Sequence, residues 1–298
     1  MLIATSDRSA RGEPVNLTRL VLQFDRIPVM VYAPFSEEIE GFRDHMWRRE
    51  PENRIEDAVA AENFIESIGF CTALTDSRRA GPSLYIAVCG RRDAHMPRNV
   101  QKDPESSLAW TIKDEVIRRG RVYYGKLVKG HSTFIARRLV PYFHALWGVP
   151  RKRELVVLSE GARDVLAVLR HEWELATGDL RKASKITERP RFNKAIDELQ
   201  RTLKVIPTEV IYEPAFTYVW SLAESRFQDE LKTTVSRQRA LGEIARAYLS
   251  GAGMTFRGEL ARVTGLSGPD AGLGNWALVD EGFAVRSAPG VYRLKQLT

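Results

Sequence analysis

Apolar residues recur at helical spacing in three windows between Leu158 and Leu203. Ala162, Val165, Leu166 and Leu169 fall on one face behind Ser159, a good N-cap residue. Leu180 and Ala183 face inward behind Thr177, which predicts a short second helix capped by that threonine. Phe192, Ala195, Ile196, Leu199 and Leu203 form a third stripe. Thr187 is its expected cap, and Pro190 sits in its first turn, where a missing N–H does little harm. The β-branched text that follows turns on Pro207, with Lys204-Val205-Ile206 on one side and Glu209-Val210-Ile211 on the other. It predicts a two-stranded wing. Helix, helix, third helix and wing are the parts of a winged helix-turn-helix, whose third helix lies in a DNA major groove.

The rest of the chain alternates short helical and extended patterns. Residues 1–14 read as a polar, disordered tail, and Val15 to Ala33 as a strand pair or a short helix and strand. Glu37 to Arg49 has helical spacing through Ile39, Phe42 and Met46. Ile55 to Ile68 is a clearer helix, which Gly69 ends. GFCTALTD predicts a strand. Leu84 to Val88 fits a strand or a helix start, and Arg91 to Ser107 a long loop. Trp110 to Arg118 suits a helix, Arg121 to Val128 a strand, Lys129-Gly130 a turn, and Trp220 to Leu231 a helix packed back on the wing.

From about Arg237 the chain restates the stretch that begins at Leu158, at an offset near 80 residues. Ile244 and Tyr248 take the places of Val165 and Leu169, and Thr255 caps a short helix as Thr177 does. Leu278 answers Leu199, Phe283 answers Leu203, Val285 answers Val205 and Tyr292 answers Tyr212. Repetition at a fixed period predicts a second winged helix. The expected fold is therefore α+β and mostly helical, with tandem winged helices behind an N-terminal α/β segment. The divisions fall at 1–14, 15–150, 151–232 and 233–298.

Charge sharpens this picture. The net charge of +7 leans toward an acidic partner. The polar side of the first third-helix carries Arg189, Arg191, Lys194 and Arg201, whereas the second, SGPDAGLGNWALVDEG, is a poor phosphate binder that is expected to dock on the rest of the protein or on a protein partner. A second basic region, Lys126, Lys129, His131, Arg137 and Arg138, is interleaved with aromatics, a pattern that suits stacked bases and paired phosphates. Trp110, Tyr123 and Tyr124 are its stacking candidates, and adjacent tyrosines on a strand point to opposite faces, so one should be exposed. Asp114 is the weak candidate for a catalytic carboxylate near an extruded base, set against an ordinary surface acid paired with Lys113 or Arg118. Cys71 and Cys89 give no disulfide framework and fit reduced thiols in the cytosol. The five histidines lack metal-ligand spacing, and there is no dinucleotide or P-loop motif, so neither a metal nor a cofactor is expected. The chain carries no signal-peptide core and no apolar run that would span a membrane.

ENFIESIGFCTALTD, PSLYIAVCGR, WTIKDEV, YYGKLVKGHSTFIARRLVPYFHALWG and the helical stretch after them together resemble the bacterial AlkZ-related group, over about residues 55–225. More distant relatives of that group look like the AlkZ/YcaQ DNA glycosylases, built from tandem winged helices. Their Gln-x-Gln motif is absent here: Gln23, Gln101, Gln200, Gln228, Gln238 and Gln296 are scattered. The resemblance thus implies a DNA-facing architecture rather than a reaction. The expected function is binding of double-stranded DNA, with base excision or protein interaction as the alternatives.

Overall fold

The computed structural model describes residues Phe35–Thr298, so the expected tail and the strand pair at Val15 to Ala33 lie outside the described residues. The chain runs α1 (Glu37–Met46), α2 (Ala58–Ile68), β1 (Phe70–Thr72), α3 (Leu84–Cys89), α4 (Pro104–Arg119), β2 (Tyr123–Lys126), β3 (Ser132–Ile135) and α5 (Val140–Trp147). Then follow α6 (Glu154–Val157), α7 (Glu160–Glu172), β4 (Glu174–Ala176), α8 (Thr177–Ala183), α9 (Arg189–Arg201), β5 (Val205–Ile211), β6 (Thr217–Leu222) and α10 (Glu224–Lys232). The last part is α11 (Arg237–Ala252), β7 (Met254–Thr255), α12 (Glu259–Thr264), α13 (Gly268–Asp280), β8 (Ala284–Ala288) and β9 (Val291–Leu294). This is an α+β protein of helices and small antiparallel sheets. No helix among the described residues is long and apolar enough to cross a membrane.

The three sheets among the described residues share one order. β3 lies between β1 and β2, β6 between β4 and β5, and β9 between β7 and β8. Each first strand follows a long helix, and two further helices separate it from the hairpin that completes its sheet. The helix–strand–helix–helix–hairpin unit thus occurs three times among the described residues, once more than the sequence suggested. Each leading helix turns into its strand through a residue at positive φ: Gly69 at 90°, Trp173 at 67° and Gly253 at 68°. Glycine adopts that conformation without a Cβ penalty, and tryptophan does not.

Several local expectations change. Leu84–Cys89 is helical, and the helix expected at Trp110 begins earlier, at Pro104, where Asp103 accepts from the Ser106 N–H at 2.8 Å. Pro207 does not turn a wing. It lies inside the single strand β5, at an irregularity in the pairing with β6, and β5 is an edge strand, where a missing N–H is tolerated. The hairpin turns instead between Ile211 and Thr217, so Trp220 to Leu222 is strand and the helix begins at Glu224. Thr177 is not a cap: its hydroxyl donates to the Tyr218 carbonyl at 3.0 Å and accepts from the Trp220 indole at 2.9 Å. Thr187 is displaced as cap by Glu188, whose side chain makes no cap bond, and Thr255 lies in β7 rather than capping α12. Ser159 caps α7 as expected, accepting from the Ala162 N–H at 3.3 Å. Tyr292 lies in β9, not at a hairpin tip like Tyr212, because the last hairpin is shorter.

Two hydrophobic cores result among the described residues. One joins the first and last repeats, with Trp47, Ile65, Phe70 and Phe143 meeting Ile244, Tyr248 and Leu249. The other belongs to the middle repeat and gathers Val149, Leu158, Val165, Leu169, Phe192, Ile196, Leu199 and Trp220. β5 serves both, since Val205 points into the second while Ile206 and Val210 belong to the first, as alternate positions of a strand do.

Candidate nucleic-acid interface

The polar side of α9 is set by which of its charges are already engaged. Asp197 accepts from the Lys126 ammonium at 2.9 Å, and Glu198 accepts from the Ser159 N–H at 2.9 Å and its hydroxyl at 2.5 Å. Both acids of the helix are thereby tied to neighbouring elements. Of the bases, Arg191 pairs with Glu160 at 2.8 Å. Arg189, Lys194 and Arg201 are exposed, and among the described residues no carboxylate pairs with them. The start of the helix is also open, because Glu188 offers its first turn no side-chain acceptor.

The two basic regions meet only in part. β2 packs beside α9: the Lys126 N–H donates to Gln200 Oε1 at 3.1 Å, and its ammonium holds Asp197. Val128–Gly130, carrying exposed Lys129, also touches α9. His131 is partly buried, and burial, with Arg79 and Lys129 nearby, holds its imidazole below the usual histidine range. Arg137 and Arg138 go elsewhere. The Arg137 guanidinium donates to Glu230 at 2.5 Å and to the Arg226 carbonyl at 3.0 Å, and Arg138 donates to the Ser67 carbonyl at 3.4 Å. Together they line a separate groove with Glu66 and Glu230.

A cavity of about 260 Å³ opens where α9, β2 and the β5–β6 hairpin converge. Tyr124, Phe216, Tyr218 and Trp220 form its aromatic wall, and Lys126, Arg189, Asn193 and Gln200 lie on the other sides. Neither of the adjacent tyrosines is exposed. Tyr123 is 0% exposed, packed on Phe227 with ring centroids 5.2 Å apart, and Tyr124 is 7% exposed. Both faces of β2 are covered, by α9 and β5, which period-two alternation cannot reveal. Tyr124 is thus the one of the pair that reaches the cavity. Trp110 stands behind it, edge-on to Phe216 at 6.5 Å.

Beneath the aromatic wall lies an ionic seam between α4 and the hairpin. The Lys113 ammonium and the Asp114 carboxylate form an ion pair with both side chains 1% exposed. The ammonium also donates to the Tyr218 hydroxyl at 3.0 Å and sits 4.3 Å from the centre of the Trp110 ring. The Tyr212 hydroxyl donates to the other Asp114 oxygen. Burial lowers the Lys113 pKa against the pull of Asp114, while burial and Asp114 push that of Tyr212 up to about 12. Asp114 is buried against Lys113 and Tyr212 rather than exposed on the helix surface, and it does not line the cavity. Arg118 completes the seam, bonding Glu209 and, at 2.7 Å, the Val210 carbonyl. The aromatics of the hairpin, Tyr212, Phe216, Tyr218 and Trp220, were not singled out from sequence for this site. Their period-two spacing from Phe216 to Trp220 was the available signal.

The fold and the sequence place this arrangement among known proteins. The chain is similar to the Streptomyces sahachiroi DNA glycosylase AlkZ, with 14% identity and a TM-score of 0.54, over 87% of this chain and 69% of that one. That likeness shows a shared fold. A match to the DIP2311 protein of Corynebacterium diphtheriae has 18% identity, 74% and 42% coverage and a TM-score of 0.19, too low to support any inference. No curated protein matches the sequence. The sequence pattern of the AlkZ-related family matches residues 55–245, well over half of the chain: the protein belongs to the AlkZ-related family.

Proposed function

We propose that each of the three repeats is a winged helix, and that the middle one binds double-stranded DNA through α9. One observation carries this reading. Arg189, Lys194 and Arg201 stand without acidic partners on a helix whose own acids are engaged internally. Three such cations on one exposed helix neutralise backbone phosphates and release counterions. Lys129, on the adjoining turn, extends the same surface. The open first turn of α9 adds N–H groups and the positive end of the helix dipole beside Arg189. The solved relative is named a DNA glycosylase, which agrees with DNA as the partner. Base excision is not part of the proposal, since Asp114 is held by Lys113 and Tyr212 away from the cavity.

A salt titration of duplex binding tests it. Changing any one of Arg189, Lys194 or Arg201 to Ala should reduce the slope of log affinity against log salt by about one. Variants with unchanged affinity and slope would remove α9 from the interface.

A further inference from the structure

We propose that the cavity between α9 and the β5–β6 hairpin receives one unstacked nucleobase from the nucleic acid on α9. This rests on the DNA-binding reading and adds a substrate feature to it. At about 260 Å³ the cavity falls below the roughly 300–1,000 Å³ typical of drug-sized sites. That space suits a single planar ring system. Its wall is aromatic, and Phe216 is held upright rather than left loose, edge-on to Tyr212 at 5.6 Å and to Tyr218 at 5.2 Å. Such faces stack any base with little regard to sequence. Phe216 is also 48% exposed, so a stacked ring would cover apolar surface that now meets water.

The polar groups around the cavity divide by availability. Gln200, Thr177 and Asp197 are hydrogen-bonded to Lys126, Tyr218 and Trp220 within the fold. Asn193 is exposed and among the described residues has no side-chain partner, so its amide is free to pair with a base edge through one donor and one acceptor. Arg189, also unpaired, stands by for the attached phosphate. A base paired inside a duplex cannot enter this space. The cavity therefore favours DNA whose base is already unpaired, for which extrusion costs least.

The test compares fluorescein-labelled duplexes that are identical except for one bulged, unpaired base, using the full chain and fluorescence anisotropy. The wild type should bind the bulged duplex about tenfold tighter, the scale of one base stacked on an aromatic side chain. Phe216→Ala, which removes the wall from the hairpin side, should abolish the preference while perfect-duplex affinity and salt slope stay as in the wild type; Asn193→Trp, which fills the mouth from α9, should abolish the preference whatever it does to perfect-duplex affinity. A bulge also bends DNA more easily, so a preference that survives in both variants belongs to deformability and overturns the proposal. Equal wild-type binding of both duplexes, with a steep salt slope, overturns the base pocket alone. No binding to either duplex overturns the DNA-binding reading and the pocket with it.

Discussion

The third helices of the middle and last repeats, α9 and α13, hold equivalent places about 79 residues apart and meet solvent in opposite ways. α9 leaves three cations without acidic partners and has no side-chain cap. α13 is capped by Ser267, which accepts from the Asp270 N–H at 3.2 Å, and Arg237 braces Asp270 at 2.8 Å. Its outer side shows Leu273 and Trp276 instead of bases. The repeats are also fastened differently. The last one merges its apolar core with that of the first, whereas the middle one keeps a core of its own and meets α4 both through β5 residues Ile206 and Val210 and through ions and tyrosines. One framework thus yields one third helix with an apolar outer side and another whose exposed cations have no acidic partner. Since the framework is common to both, the difference resides in side chains.

The ionic seam is the part of that contrast with the largest expected effect. Lys113→Met leaves the Asp114 carboxylate buried with only a tyrosine hydroxyl beside it, and should cost about 3–5 kcal/mol of stability in denaturant unfolding. A change below ~1 kcal/mol would mean that water reaches the seam and that the middle repeat is not held by it. The next effect belongs to α13. A Cβ at Gly274 would lie 2.6 Å from the Leu241 carbonyl oxygen on α11, while α9 carries Ala195 at the matching place. Gly274→Ala should destabilise by about 1–3 kcal/mol, the range for overpacking a tight contact. Unchanged stability would show that α11 and α13 are not closely apposed.

The smallest effect is a pH dependence at α13. Its Ser267 hydroxyl bond, with Arg237 adding to it, holds the Asp270 carboxyl below the usual range. A depressed carboxylate contributes stability that is complete above its unfolded value of about 3.9 and is lost as pH falls through the folded value. Asp270→Asn should therefore flatten the acid side of the stability curve, read as denaturation midpoints from pH 6 downward. An identical acid limb in the variant would exclude Asp270 as its source.

What could be read from sequence follows the same contrast. The helices with strong apolar stripes, at Ala162 to Leu169 and Phe192 to Leu203, were legible because burial on one face leaves a 3.6-residue period. So was the loss of charge on α13. The first repeat was not legible. The extended stretch after Cys89 separates α3 from α4, and its three-residue strand β1 carries too little text for a period. Trp173, standing where the other repeats have Gly69 and Gly253, removed the one residue identity that might have aligned all three. The site was half legible. Basic residues on α9 could be seen, but which of them are engaged depends on Asp197 meeting Lys126 across 71 positions, and on Glu198 meeting Ser159 across 39. The exposure expected of Tyr123 or Tyr124 failed for a related reason, since β5 covers their strand from far along the chain.

The most direct measurement sets α9 against an equal charge loss in the last repeat. One variant carries Arg189→Ala, Lys194→Ala and Arg201→Ala. The other carries Arg239→Ala, Arg262→Ala and Lys295→Ala, three exposed bases with no acidic partner among the described residues. Net charge falls from +7 to +4 in both, by the loss of three cations from the chain. Duplex affinity is then followed across a salt series. The expected result is a log–log slope shallower by about three for the α9 variant and nearly unchanged for the control. Equal losses in the two variants would reduce the interaction to net charge, and unaltered binding by the α9 variant would contradict the assignment of DNA contact to that helix.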